Sequence, residues 1–102
     1  MSILTSLEIP QEAVADFCKR RSVIEFAIFG SAARHELRPE SDLDVMLTFT
    51  SEARWDLCDL VEMKDELKAI FGRDVDIVER GTIRNPFRRE TIMRDLSVVY
   101  AA

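Results

Sequence analysis

Asp42 and Asp44 stand two residues apart at the head of the apolar run "LDVMLTF" (43–49), and Asp76 stands inside a second apolar run, "DVDIVE" (74–79). On a strand, residues i and i+2 project from the same face. The first two carboxylates therefore sit side by side, about 6–7 Å apart at the backbone, while Leu43, Val45 and Leu47 go to the other face. Like charges this close repel unless a cation lies between them. Magnesium suits the place, because it prefers carboxylate oxygen and completes its shell with water and phosphate oxygen. If 74–79 neighbours 43–49, Asp76 can face the pair. Three carboxylates can hold two ions about 3.5–4 Å apart, an arrangement suited to in-line phosphoryl or nucleotidyl transfer. Asp74 has the same parity and is the rival, but it lies at the solvated start of its strand beside Gly72-Arg73.

Gly30-Ser31 and Arg34 stand upstream of this acid group. A strand that ends in Gly-Ser before a helical turn exposes backbone N–H groups, and glycine lets a phosphate approach the backbone closely. Arg34, three residues on, could reach the same phosphates or fix the carboxylates.

These residues need a frame. Pro10 suits a first helical turn. Val14, Phe17 and Cys18 follow at helical spacing up to the basic end Lys19-Arg20-Arg21. "VIEFAIF" (23–29) reads as a strand with Ile24, Phe26 and Ile28 on one face. Residues 31–36 read as one or two helical turns, and "RPES" as a loop. After the strand 43–49, Ser51 is the expected cap of a helix over about 52–71, with Leu57, Leu60, Val61, Leu67, Ile70 and Phe71 as its apolar face. Gly72 stops it, 74–79 is a third strand, and Pro86 opens a last helix to about 96. The tail "VVYAA" reads only as apolar. The expected fold class is α+β: a small mixed sheet with helices packed on it, in a single domain over 1–102.

Composition limits the function. The chain has 102 residues, 47% apolar and 32% charged, with a net charge of −5. This is globular rather than disordered. The acidic balance argues against nucleic acid as a direct partner, since backbone binding rests on Lys and Arg neutralising phosphates. No apolar stretch reaches the roughly 20 residues of a membrane span, and the start "MSILTSLEIP" lacks the pattern of a signal peptide. Cys18 and Cys58 belong to no CxxC and His35 is the sole histidine, so both cysteines are expected as reduced thiols lining the core of a cytoplasmic protein. Basic residues crowd one segment: Arg80, Arg84, Arg88, Arg89 and Arg94. They are expected either as a solvated face or as the contact to an acidic partner or a triphosphate.

Gly30-Ser31-x-x-Arg34, then Ser41-Asp42-x-Asp44, then a later strand bearing Asp76, resembles the DNA-polymerase-β-type nucleotidyltransferase superfamily. More closely it resembles the minimal nucleotidyltransferases, the MNT-domain antitoxins paired with HEPN-domain toxins. The resemblance runs over about residues 10–100. It implies the polymerase β-like fold, Asp42, Asp44 and Asp76 as catalytic metal ligands for two Mg²⁺ ions, and Gly30, Ser31, Arg34 and Ser41 lining the nucleotide, ATP. Asp76 would also help to deprotonate the acceptor hydroxyl. One departure is His35, where members of the family often carry glycine. The larger enzymes of the superfamily have an acceptor-binding domain for which this chain has no room, so a dimer cleft or a protein partner would supply the missing wall. The expected function is AMP transfer to a hydroxyl, tyrosine above all, of a HEPN ribonuclease toxin. An antitoxin that acts by binding alone and an aminoglycoside-type adenylyltransferase are the alternatives.

Overall fold

The computed structural model describes residues 9–30, 42–82, 85–94 and 96–102. The expected short helix at 31–36 and the loop "RPES" lie outside them. The elements run α1 (Gln11–Arg21), β1 (Val23–Phe29), β2 (Leu43–Phe49), α2 (Leu57–Phe71), β3 (Val75–Glu79), a 3₁₀ turn (Arg80–Thr82), α3 (Pro86–Arg94) and β4 (Ser97–Ala101). The strands form one mixed sheet in the order β3-β2-β1-β4. β1 is antiparallel to both β2 and β4, whereas β2 and β3 are parallel. The α+β expectation holds.

β2 is central, and its consecutive residues Val45, Met46 and Leu47 are all buried because both faces of the sheet are covered. On one face, Leu43, Val45 and Leu47 join Val14, Phe17 and Cys18 of α1 and Met63 and Leu67 of α2. Phe26 anchors this core, edge-on to Phe17 and stacked on Phe71, with centroids 6.2 Å apart in each case. On the opposite face Phe29 and Met46 pack with Ile92 of α3.

Five expectations are corrected. Ile24 does not share the core face of Phe26 and Ile28. The pairing register shifts between Val23 and Glu25, so Val23 is buried and Ile24 is 39% exposed. α2 starts at Leu57 and its cap is Asp56, not Ser51. The Asp56 side chain accepts from the Asp59 N–H at 2.9 Å, while Asp59 accepts from the Asp56 N–H at 3.0 Å, a reciprocal box. Leu57 and Val61 lie off its buried face, at 76% and 55% exposure, and Cys58 is exposed as well. Only Cys18 is a core thiol, and burial pushes its pKa up to about 12. Finally, α3 ends at Arg94 and the apolar tail is β4, paired along β1 from Glu25 to Ile28. Gly72 ends α2 as expected, at φ +72, with its N–H donating to the Lys68 carbonyl at 2.8 Å. Among the described residues no helix is long and apolar enough to cross a membrane.

Candidate active site

The site begins where β1 ends. Gly30 turns the chain at φ +72, a conformation that glycine adopts without steric cost. A Cβ built there would collide with the Asp44 carboxylate. The collision follows from the pairing, since Phe29, the residue before the turn, is opposite Asp44. Glycine at position 30 therefore serves a bend and also leaves open the space in which the Asp44 side chain sits.

β3 supplies the third carboxylate. Its parallel register sets Asp76 opposite Asp44 and Val75 opposite Leu43. Residues paired this way point to the same side of a sheet, with backbones about 4.8 Å apart. The parity separates the groups cleanly: Leu43, Val45, Val75 and Ile77 belong to the helix-covered core, and Asp44 and Asp76 go to the other face. Asp42, just before β2, is exposed and lines a cavity of about 260 Å³ together with Asp74, Asp76, Asp65, Lys64 and Lys68. The structure thus brings Asp42, Asp44 and Asp76 to one end of two adjacent strands. Ser31, Arg34, Ser41 and His35 lie outside the described residues.

These carboxylates are hard oxygen donors on neighbouring strands, the donor set that a divalent cation prefers. As the side chains stand, no group of three or more acidic, thiol or imidazole side chains among the described residues is drawn together tightly enough to hold one. Asp44 lies beside Gly30, and the Asp76 carboxylate lies beside the Lys64 ammonium, 3.9 Å from its Oδ1. Convergence needs side-chain rotation on a backbone already in place.

Two residues of the site were not foreseen. Lys64 and Lys68 are one turn apart on α2, and Asp74 and Asp76 are two apart on and before β3. Lys68 meets Asp74 at 3.1 Å, so the rungs match: i,i+4 on a helix against i,i+2 on a strand. The spacing of two lysines shortly before two aspartates is visible in the sequence, but that they meet across α2 and β3 is not. The basic segment is partly neutralised. Arg80 donates to Glu25 at 2.7 Å and Arg94 meets Glu90 at 3.5 Å. Arg84 and the side chains of Arg88 and Arg89 lie outside the described residues.

A mixed sheet of this order, with carboxylates on neighbouring strands beside a glycine turn, is an arrangement that nucleotide transfer can use. The chain belongs to the nucleotidyltransferase domain family, whose pattern matches residues 11–99. It is 31% identical to the protein adenylyltransferase MntA of Thermococcus cleftensis, over 98% of this chain and 99% of that one. A solved toxin–antitoxin structure with AMP-PNP has a TM-score of 0.74 at 14% identity, over 92% of this chain and 75% of its own. A complex of a tri-AMPylated HEPN toxin of Shewanella oneidensis with its MNT antitoxin has a TM-score of 0.64 at 13% identity, over 90% and 70%. At those identities the two structures speak for the fold.

Proposed function

We propose that the chain is the antitoxin of a HEPN toxin pair and that it transfers AMP from ATP to a tyrosine-type hydroxyl of its cognate toxin in the cytoplasm. The observation that carries this reading is the register of Asp76 against Asp44 beside the Gly30 turn. The end-to-end likeness to a protein adenylyltransferase supports the choice of a protein acceptor, and the solved toxin–antitoxin complexes of the same fold support its class.

Asp42 and Asp44, with Asp76, would hold Mg²⁺, two ions at full loading. When bound, the metal neutralises charge on the phosphates and on the oxygens that attack and leave. Gly30, Ser31, Arg34 and Ser41 would orient the triphosphate. Asp76 would accept the proton of the acceptor hydroxyl. That oxygen forms a bond to the α-phosphorus, the α–β bridging P–O bond breaks, and pyrophosphate leaves.

Purified chain, the toxin encoded beside it, Mg²⁺ and α-labelled ATP test the reading. Label should appear on the toxin with the wild-type chain. Asp76→Ala should abolish transfer while leaving toxin binding nearly unchanged, because its role lies in the transition state. Asp42→Asn and Asp44→Asn should lower Mn²⁺ binding in the presence of nucleotide. Full rescue of growth by Asp76→Ala, with no adduct on the toxin, would show an antitoxin that acts by binding alone.

A further inference from the structure

We propose that Lys64 is a positioning residue that holds the Asp76 carboxylate away from Asp44 until a divalent cation takes its place. The inference rests on the metal-dependent reading above and concerns how that site is kept before it is loaded.

Three observations lead to it. Asp76 is opposite Asp44 in the β2–β3 pairing, yet no group of three acidic side chains converges among the described residues. Among the described residues the Asp76 carboxylate is ion-paired with the Lys64 ammonium of α2, at the sheet edge that β3 forms. The two rungs of the α2–β3 ladder are unequal. Lys68 meets Asp74 at 3.1 Å, within hydrogen-bond distance, whereas Lys64 stands 3.9 Å from Asp76, beyond it.

Both rungs are exposed ion pairs, and the one at Asp76 is the longer. The Lys68–Asp74 contact is the shorter of the two, though more exposed, at 61% and 69%. The Lys64–Asp76 contact is loose and half-exposed, 50% and 58%, so it costs little to break. Without a cation, three carboxylates at one strand end repel one another, and an ammonium beside one of them relieves part of that repulsion. An ion with two charges and several inner ligands outcompetes a single ammonium at a distance. Asp76 can then rotate toward Asp44, and the freed Lys64 remains at the cavity rim that it shares with Asp42 and Asp76. Asp74, the rival, is in the closer contact with its lysine and lies before β3 rather than opposite Asp44.

Mn²⁺ alone, titrated into the full chain and followed by the loss of its free-ion spin-resonance signal, tests this. Lys64→Met should bind Mn²⁺ roughly two- to fivefold more tightly than wild type, the factor expected from loss of an exposed ion pair. Lys64→Arg should restore the wild-type affinity. The gain should vanish when Asp76→Asn is already present, since the competition is then gone. An unchanged affinity in Lys64→Met overturns the inference. So does a gain that persists beside Asp76→Asn, which would reveal a general effect of charge. Thermal melting of each variant keeps folding under control. Failure of the metal reading itself is a separate result: wild-type Mn²⁺ binding would then be insensitive to Asp42→Asn.

Discussion

At the scale of single residues, Gly30 and Gly72 make a controlled comparison. Both sit at φ +72, but a Cβ at Gly72 would meet nothing within 4 Å, whereas one at Gly30 would strike the Asp44 carboxylate. Gly72→Ala should cost about 1 kcal/mol of stability, the penalty of a left-handed backbone with a side chain. Gly30→Ala carries the same penalty and must also displace Asp44. It should lower the urea midpoint further, and it alone of the two should weaken nucleotide-dependent Mn²⁺ binding. Equal behaviour of the two variants in both measurements would mean that Gly30 is only a turn. The sequence named the glycine and the carboxylate separately, one as a phosphate approach and one as a ligand. That they touch is a consequence of the β1–β2 register.

At the scale of elements, α2 shows how a helix start is set by reciprocal hydrogen bonds rather than by the nearest hydroxyl. Ser51 is a plausible cap by type, but its Oγ donates to the neighbouring Glu52 carboxylate at 3.0 Å. Asp56 takes the role instead, with Asp59 closing the box. Asp56→Ala should destabilise the protein by about 1 kcal/mol, and Ser51→Ala should change stability by less than about 0.5 kcal/mol, as surface changes away from such features do. Differential scanning of the two variants decides between the caps. β4 is the other element of interest. It occupies the sheet edge beside β1, and Ala102 N–H donates to the Ile24 carbonyl at 2.8 Å, so the last residues complete the backbone hydrogen bonding of a strand whose other side is taken by β2.

At the scale of the whole molecule, one charge cluster ties the two helices of the main core together. Arg20 meets Glu66 of α2 at 2.7 Å and Asp16 of its own helix at 2.8 Å, and Arg21 is bonded to the same Glu66 carboxylate. Partial burial alone would raise the Glu66 pKa, but hydrogen bonds and charge from Arg21 and Arg20 outweigh it and hold the carboxylate below its usual range. A depressed carboxylate contributes stability that is present above the unfolded-state pKa, near 4.3, and is lost as pH falls through the lower folded value. Stability measured by urea at pH 7 and at pH 3 should therefore fall on acidification. In Glu66→Gln that fall should be smaller, and the starting stability at pH 7 lower. An identical pH slope in both proteins would show that the cluster adds nothing net.

The sequence by itself determined the parts that depend on a few neighbouring residues: the helix from Pro10, the three strands at 23–29, 43–49 and 74–79, the stop at Gly72, and the alternation that sends Asp42 and Asp44 away from Leu43 and Val45. These are matters of side-chain period and backbone conformation, which act over two to four positions. The family, too, was legible in the spacing of Gly30, Ser31, Asp42, Asp44 and Asp76. Only the tertiary structure decided which strands pair and in what register. The tail became β4 because β1 had a free edge to cover, not because of its own pattern, and Ile24 left the core because a register shift reversed its parity. Leu57 and Val61 stayed exposed because the sheet meets α2 along Met63 and Leu67, and a helix with apolar residues on more than one side cannot announce which side will be met. The pairing of Asp76 with Asp44, and the approach of Lys64 to Asp76, likewise join residues more than ten positions apart. Contacts at that separation are set by packing the whole chain, and no local pattern encodes them.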